Sequence, residues 1–201
     1  MSDRLYLSYR IQGFDASTMP RHYEKLLRLF PFSRLAETSS VLRIHPIDDT
    51  EPLLLEQAFP HPVDLEEVLK SCREFAGGDC ACRLETLWDL WQFDGAPDAA
   101  GRGSMEGGWK LAPARIALAC FGPEFAGDPG DQLRVDFGLE TQFLPEPETG
   151  KSLSMVRSNI RSLLHFVHEA DDRLAVKDRR LWSESGGNFA ARLQASLEDA
   201  V

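Results

Sequence analysis

The sequence predicts an α+β fold: a single domain over residues 1–201, with a five-stranded mixed or mostly antiparallel sheet and helices packed on it. Three observations carry this. Residues 132–143 alternate strictly, with Leu133, Val135, Phe137, Leu139, Thr141 and Phe143 on one side of an extended chain. Arg134, Asp136, Gly138, Glu140 and Gln142 fall on the other, the pattern of a strand with one face in a core. Residues 152–174 place Leu153, Val156, Ile160, Leu163, Leu164 and Val167 on one helical stripe. The remaining strand and helix patterns follow one another across Pro- and Gly-containing breaks, with no internal repeat and no linker that would divide the chain.

Residues 4–11 form the first strand, alternating Leu5, Leu7, Tyr9 and Ile11 against Tyr6, Ser8 and Arg10. Ser17 or Thr18 caps the next helix, and Pro20 is tolerated in its first turn. Met19, Tyr23, Leu26, Leu27 and Phe30 recur on one face of it, and Pro31 ends it. Residues 41–47 are a second strand, so the opening unit is β-α-β. Residues 48–62 are a proline-rich connector whose Leu53, Leu54, Leu55 and Phe59 pack it on the body. Asp64 with Glu67 resembles a capping box, with Val63 and Val68 as the hydrophobic staple. Leu65, Val68, Leu69, Cys72, Phe75 and Ala76 then face inward, and Gly77-Gly78 stops that helix.

Residues 82–93 form a strand that is apolar on both faces. Leu84, Trp88 and Leu90 lie on one side; Leu87, Trp91 and Phe93 lie on the other, among Arg83, Glu85 and Asp89. Residues 94–108 hold five glycines and little to bury, the composition of a flexible loop. Residues 114–121 are a fourth strand, with Pro113 marking an edge or an irregular entry. The third to fifth strands make an antiparallel meander. After the long helix, residues 176–182 carry no clear pattern, and residues 188–197 read as a short helix on Phe189, Leu193 and Leu197.

Composition narrows function more than any motif does. The net charge is −10, from 22 Lys and Arg against 32 Asp and Glu. An acidic surface releases no counterions from nucleic acid or anionic lipid, so neither is an expected partner. The opening residues run straight into a strand, and no stretch of 18 apolar residues occurs, so the expectation is a cytoplasmic protein without signal peptide or membrane span. Cys80-Ala81-Cys82 with Cys72 upstream invites a zinc or iron–sulfur reading, but no second ligand pair exists. The four cysteines read as free thiols, with no metal and no cofactor expected.

Two side-chain groups stand out. On the long helix Arg157, Arg161 and His168 lie together beside the apolar stripe, with His165 a little further round, a basic strip suited to a phosphate, a carboxylate or an acidic partner. His165, His168 and Glu169 do not have the spacing of a zinc protease helix. The second group is Leu87, Trp91 and Phe93, apolar residues among charges and hence an interface candidate. Gly186-Gly187 with its neighbouring Ser and Asn residues fits a turn and helix cap. No catalytic triad assembles from five scattered histidines, and the pattern does not specify whether the chain is an enzyme. The reading is a non-catalytic protein–protein interaction module, acidic and inhibitor-like, binding another protein or a second copy. The alternative is an enzyme or small-molecule binder that recognises an anionic ligand through the basic helix flank.

Overall fold

Alternation and helical spacing are realised in a computed structural model that describes residues 3–48, 50–75, 77–94, 108–127, 130–144, 150–184, 186, 189 and 192–193. Among these residues the chain forms β1 (Arg4–Ile11), α1 (Met19–Leu29), β2 (Ser40–Pro46), β3 (Leu55–Phe59), α2 (Leu65–Phe75), β4 (Cys80–Asp94), β5 (Gly108–Phe121), β6 (Leu133–Leu139), a 3-10 turn (Glu140–Gln142), α3 (Gly150–Arg173) and β7 (Val176–Ser183). The sheet order is β3-β2-β4-β5-β6-β1-β7, and every neighbouring pair is antiparallel.

The expected five-stranded, partly parallel sheet is therefore corrected to seven antiparallel strands, within the same α+β class. Both additional strands sit at the edges, where alternation is weakest. β3 hides in the proline-rich connector, and β7 reads VKDRRLWS, whose exposed charges keep an open edge from pairing with another chain. The opening β-α-β elements exist, but β6, β5 and β4 stand between β1 and β2. β6 stops at Leu139, four residues before the alternation does. Gly138 at φ +76° sits in a bulge where the β1–β6 register slips, and the chain then tightens into the 3-10 turn. Phe143 is fully buried all the same, delivered by the turn. Asp94 and Gly108 prove to be paired strand ends, while residues 95–107, read as a flexible loop, lie outside the described residues. So does most of the expected helix over 188–197.

Local capping chemistry partly follows expectation. Asp64 Oδ1 accepts the amides of Glu66 (2.9 Å) and Glu67 (3.4 Å), so it caps α2. At α1, neither Ser17 nor Thr18 is the cap acceptor. Asp15 Oδ1 takes the amides of Ser17 (2.8 Å) and Thr18 (2.9 Å), a role its short carboxylate fills as well.

All three helices pack on one face of the sheet. That face contributes Leu5, Leu7 and Tyr9 from β1, Leu42 and Ile44 from β2, Leu84 and Trp88 from β4, Leu118 from β5, and Val135 and Phe137 from β6. Trp88 is core, ringed by Phe30, Phe137, Phe143 and Phe166 in tilted and edge-on contacts. Each such side chain taken out of water stabilises the fold by roughly 1.5–3 kcal/mol.

β4 and β5 outrun their neighbours. They pair from Ala81–Phe121 to Asp94–Gly108, whereas β2 follows β4 only to Glu85 and β6 is paired with β5 only over Ala117–Cys120. The distal part is a two-stranded arm. Its β4 edge is closed by other means: Leu87 O accepts the Ser33 amide at 2.7 Å, and Asp89 accepts the Arg34 amide at 2.8 Å. Asn159 of α3 then acts as a substitute strand. Its Oδ1 accepts the Trp91 amide and its Nδ2 donates to the Trp91 carbonyl, both at 2.9 Å. Pro113 lies opposite Asp89, in a pair whose amides point away from each other, so its missing N–H falls on the outer edge beyond β6.

Candidate functional site

With the helices on one side, no described element covers the other side of the sheet, and the register can be read straight across it. One row runs Glu56, Arg43, Arg83, Ala119, Arg134, Ser8, Arg180 from β3 to β7. The next runs Ala58, Val41, Glu85, Ala117, Asp136, Tyr6, Trp182. Long charged and aromatic side chains stand on the flanking strands, while in these two rows the central strand β5 carries only Ala117 and Ala119, and β6 adds Gly138. Alanine and glycine are poor strand formers, and a solvated sheet face ordinarily carries Thr or long polar side chains. Here their small size sinks the middle of the face into a hollow of about 840 Å³. Gly138 is required there: it holds a left-handed φ, and a Cβ would come within 3.2 Å of the Arg115 carbonyl oxygen.

Arg4, Arg43, Arg83, Arg115 and Arg134 line the hollow against two acids, Glu85 and Asp136. Asp136 is buried and takes a forked interaction from Arg4, with Nη2 at 2.7 Å and Nε at 3.1 Å. That hydrogen bond holds the Arg4 guanidinium above its ordinary pKa, against the smaller opposing effect of burial. Arg43 is held between Glu56 (2.6 Å) and Glu85 (2.7 Å). Arg134 reaches Asp131 at 2.8 Å and lies over the Phe121 ring at 5.2 Å. Tyr6 and Trp182 stack at 4.5 Å, and Arg180 lies over the Trp182 ring at 4.8 Å. Burial and the hydrogen bond to Glu184 push the Tyr6 phenol up to about 12, so it stays protonated at neutral pH.

Two arginines are less committed. Arg83, its side chain 44% exposed, approaches Glu85 and Asp136 only at 3.7 and 3.8 Å, beyond hydrogen-bond length. Arg115 is exposed and makes no ion pair among the described residues. Even with Glu56 and Asp131 counted at the rim, the hollow keeps one more arginine than carboxylates among the described residues, on a chain whose total is −10.

The residues singled out in the sequence lie elsewhere or only at the margin. Arg157 and Arg161 come together with Ile160 and Leu164 around a much smaller hollow of about 280 Å³ on α3. His165 and His168 do not line it; His168 is exposed and sits 3.6 Å from Asp172. Leu87 is part of the wall of the large hollow, paired with Arg115. Trp91 and Phe93 lie further out on the arm, where Phe93 is exposed and its ring meets Trp109 at 5.8 Å. The signal that marks the hollow was present in the chain. Arg115, Ala117 and Ala119 alternate with Ile116, Leu118 and Cys120, which makes the outward side of the fourth strand small and basic instead of polar.

Cys72, Cys82 and Cys120 converge in the core below α2, all as free thiols. The hydrogen bond between Cys82 and Cys72, together with burial, holds the Cys82 thiol far above its ordinary pKa; burial does the same at Cys120. Cys82 and Cys120 are protonated, packed side chains, and Cys72 is buried beside them. Among the described residues no three His, Cys, Asp or Glu side chains are placed to hold a metal ion, and no helix is long and apolar enough to cross a membrane. Comparison of the chain with protein-family models, curated proteins and solved structures returns no match.

Proposed function

We propose that the protein is a non-catalytic binding module whose working surface is the bare sheet face, and that this face receives an acidic segment of a protein partner. The observation that carries this is the ring of five arginines around a floor of alanine and glycine, with Arg83 and Arg115 lacking hydrogen-bonded carboxylates among the described residues. Arginine presents a planar fork that matches carboxylates, and a small-residue floor lets a bound main chain approach the sheet. No histidine or cysteine lines the hollow among the described residues, which favours binding over acid–base or thiol chemistry. The total charge of −10 disfavours a long polyanion such as nucleic acid, whereas a short acidic segment presents few charges to repel. A second copy docked face to face would set arginine against arginine.

The test is fluorescence anisotropy with a labelled glutamate-rich peptide. Arg83→Glu and Arg115→Glu are expected to weaken binding at least about tenfold each, since tenfold is about 1.4 kcal/mol and like charges set together in a contact cost several. Unchanged affinity in both variants, with circular dichroism showing an intact fold, would refute the proposal. A second reading, an anionic small ligand gripped by the helix flank, is favoured by the hollow that Arg157 and Arg161 line. The same titration decides it: Arg161→Glu should then be the variant that loses the peptide or inorganic phosphate.

A further inference from the structure

The hollow continues into the arm along the same two strands. Following β4 and β5 outward, the pairs on the bare side are Arg83 with Ala119, Glu85 with Ala117, and Leu87 with Arg115; after Asp89 and Pro113 come Trp91 with Leu111 and Phe93 with Trp109. Directly paired residues project to the same side, and alternate residues along each strand keep to it. The surface thus changes from basic to apolar over the length of one hairpin. Leu87 and Arg115 stand at the border.

At the apolar end, Phe93 is 55% exposed and Leu111 is 43% exposed, with Trp91 and Trp109 half-buried beside them. Large side chains of this kind, grouped on one side of an exposed ribbon, mark contact surfaces more often than solvated ones do. Asp89 does not interrupt the path with a free charge, because its carboxylate is spent on the Ser33 hydroxyl and the Arg34 amide.

We infer that the hollow and the arm form one recognition surface, and that it fits an extended protein segment with acidic residues at one end and a large apolar side chain at the other. The inference rests on the proposed function and adds the second half of the partner's chemistry. Charge complementarity assigns the acidic end to Arg83 and Arg115. Continuity of the hairpin assigns the apolar end to Phe93 and Leu111, a few residues further along an extended chain. An acidic segment without an apolar residue would leave the arm uncovered. A nucleic acid strand could stack bases on the aromatic rings, but it would need phosphate partners along the arm, where Trp91, Phe93, Trp109 and Leu111 carry no charge.

Two labelled peptides separate the possibilities, one rich in glutamate and glycine, the other identical except for leucine and phenylalanine placed near one end. A single-stranded oligothymidine serves as the nucleic-acid probe. With the unaltered protein the apolar peptide should bind at least about tenfold more tightly than the plain one, the gain expected if even one of its two large side chains is buried. Phe93→Ser and Leu111→Ser, both at exposed positions, should abolish that gain and leave the plain peptide's affinity unchanged. Arg83→Glu should weaken both peptides alike. If the two peptides bind equally well, the arm takes no part and the inference is overturned while the acidic-segment reading stands. If neither peptide binds, both fail. Tighter binding of oligothymidine than of either peptide would overturn both in favour of a nucleic-acid surface.

Discussion

Ile47 shows most directly how one side chain can be at odds with its backbone. It follows β2 with φ at 58°, in the left-handed region that a β-branched residue adopts only under constraint. The constraint is visible: its amide donates to the Asp79 carbonyl and its carbonyl accepts from the Ala126 amide, both at 2.7 Å. The side chain is half exposed, so little burial offsets the strain. Ile47→Asn should therefore stabilise the protein by about 1 kcal/mol, because asparagine tolerates this conformation and the two main-chain bonds remain. Urea unfolding followed by tryptophan fluorescence measures it. A loss of stability would mean that the apolar contacts of Ile47 outweigh its strain. Nothing in the letters I-H-P-I-D announces this feature, since it arises from pairing with residues far along the chain.

Among the elements, legibility in the sequence follows burial. β1 and β6 each have one face in the core, and their alternation was readable for that reason, whereas the β4 segment reads as apolar on both faces. The division of Arg83, Glu85, Arg134 and Asp136 from the apolar residues was readable too, strand by strand. What the letters do not contain is the register that sets Arg43, Arg83, Ala119 and Arg134 in one row, because register is decided by partners distant in sequence. β7 was illegible because its outward charges suit an edge, where propensity is weak. Asn159 is the element-scale counterpart. On the inward stripe of a helix an asparagine looks misplaced, yet its amide completes the open edge of β4 at Trp91 and donates a third bond, also at 2.9 Å, to the Gln142 carbonyl. Asn159→Ala would leave the Trp91 amide and two carbonyls unsatisfied in a partly buried place. The expected loss is about 2–3 kcal/mol of stability, with accelerated hydrogen exchange at Trp91 before any other β4 amide. Exchange at Trp91 matching that of the whole fold would show that the arm does not open on its own.

At the scale of the whole molecule, charge acts in two directions at once. The chain carries −10, while the hollow carries an excess of arginine. An approaching acidic peptide first meets the field of the total, then that of the site. At about 0.01 M salt the screening length is about 30 Å, comparable with the molecule, so the total repels. At about 0.1 M it shrinks to about 10 Å, and the repulsion from distant carboxylates is cut off while Arg83 and Arg115 still act at contact range. At about 1 M it is about 3 Å, and the exposed pairs are weakened as well. Affinity for the glutamate-rich peptide should accordingly rise and then fall as salt increases, with its maximum near 0.1 M. Arg115→Glu should lower that maximum and leave the low-salt repulsion in place. A steady fall from the lowest salt would mean that the site's own field dominates at every range; affinity indifferent to salt would remove arginine–carboxylate contact from the account altogether.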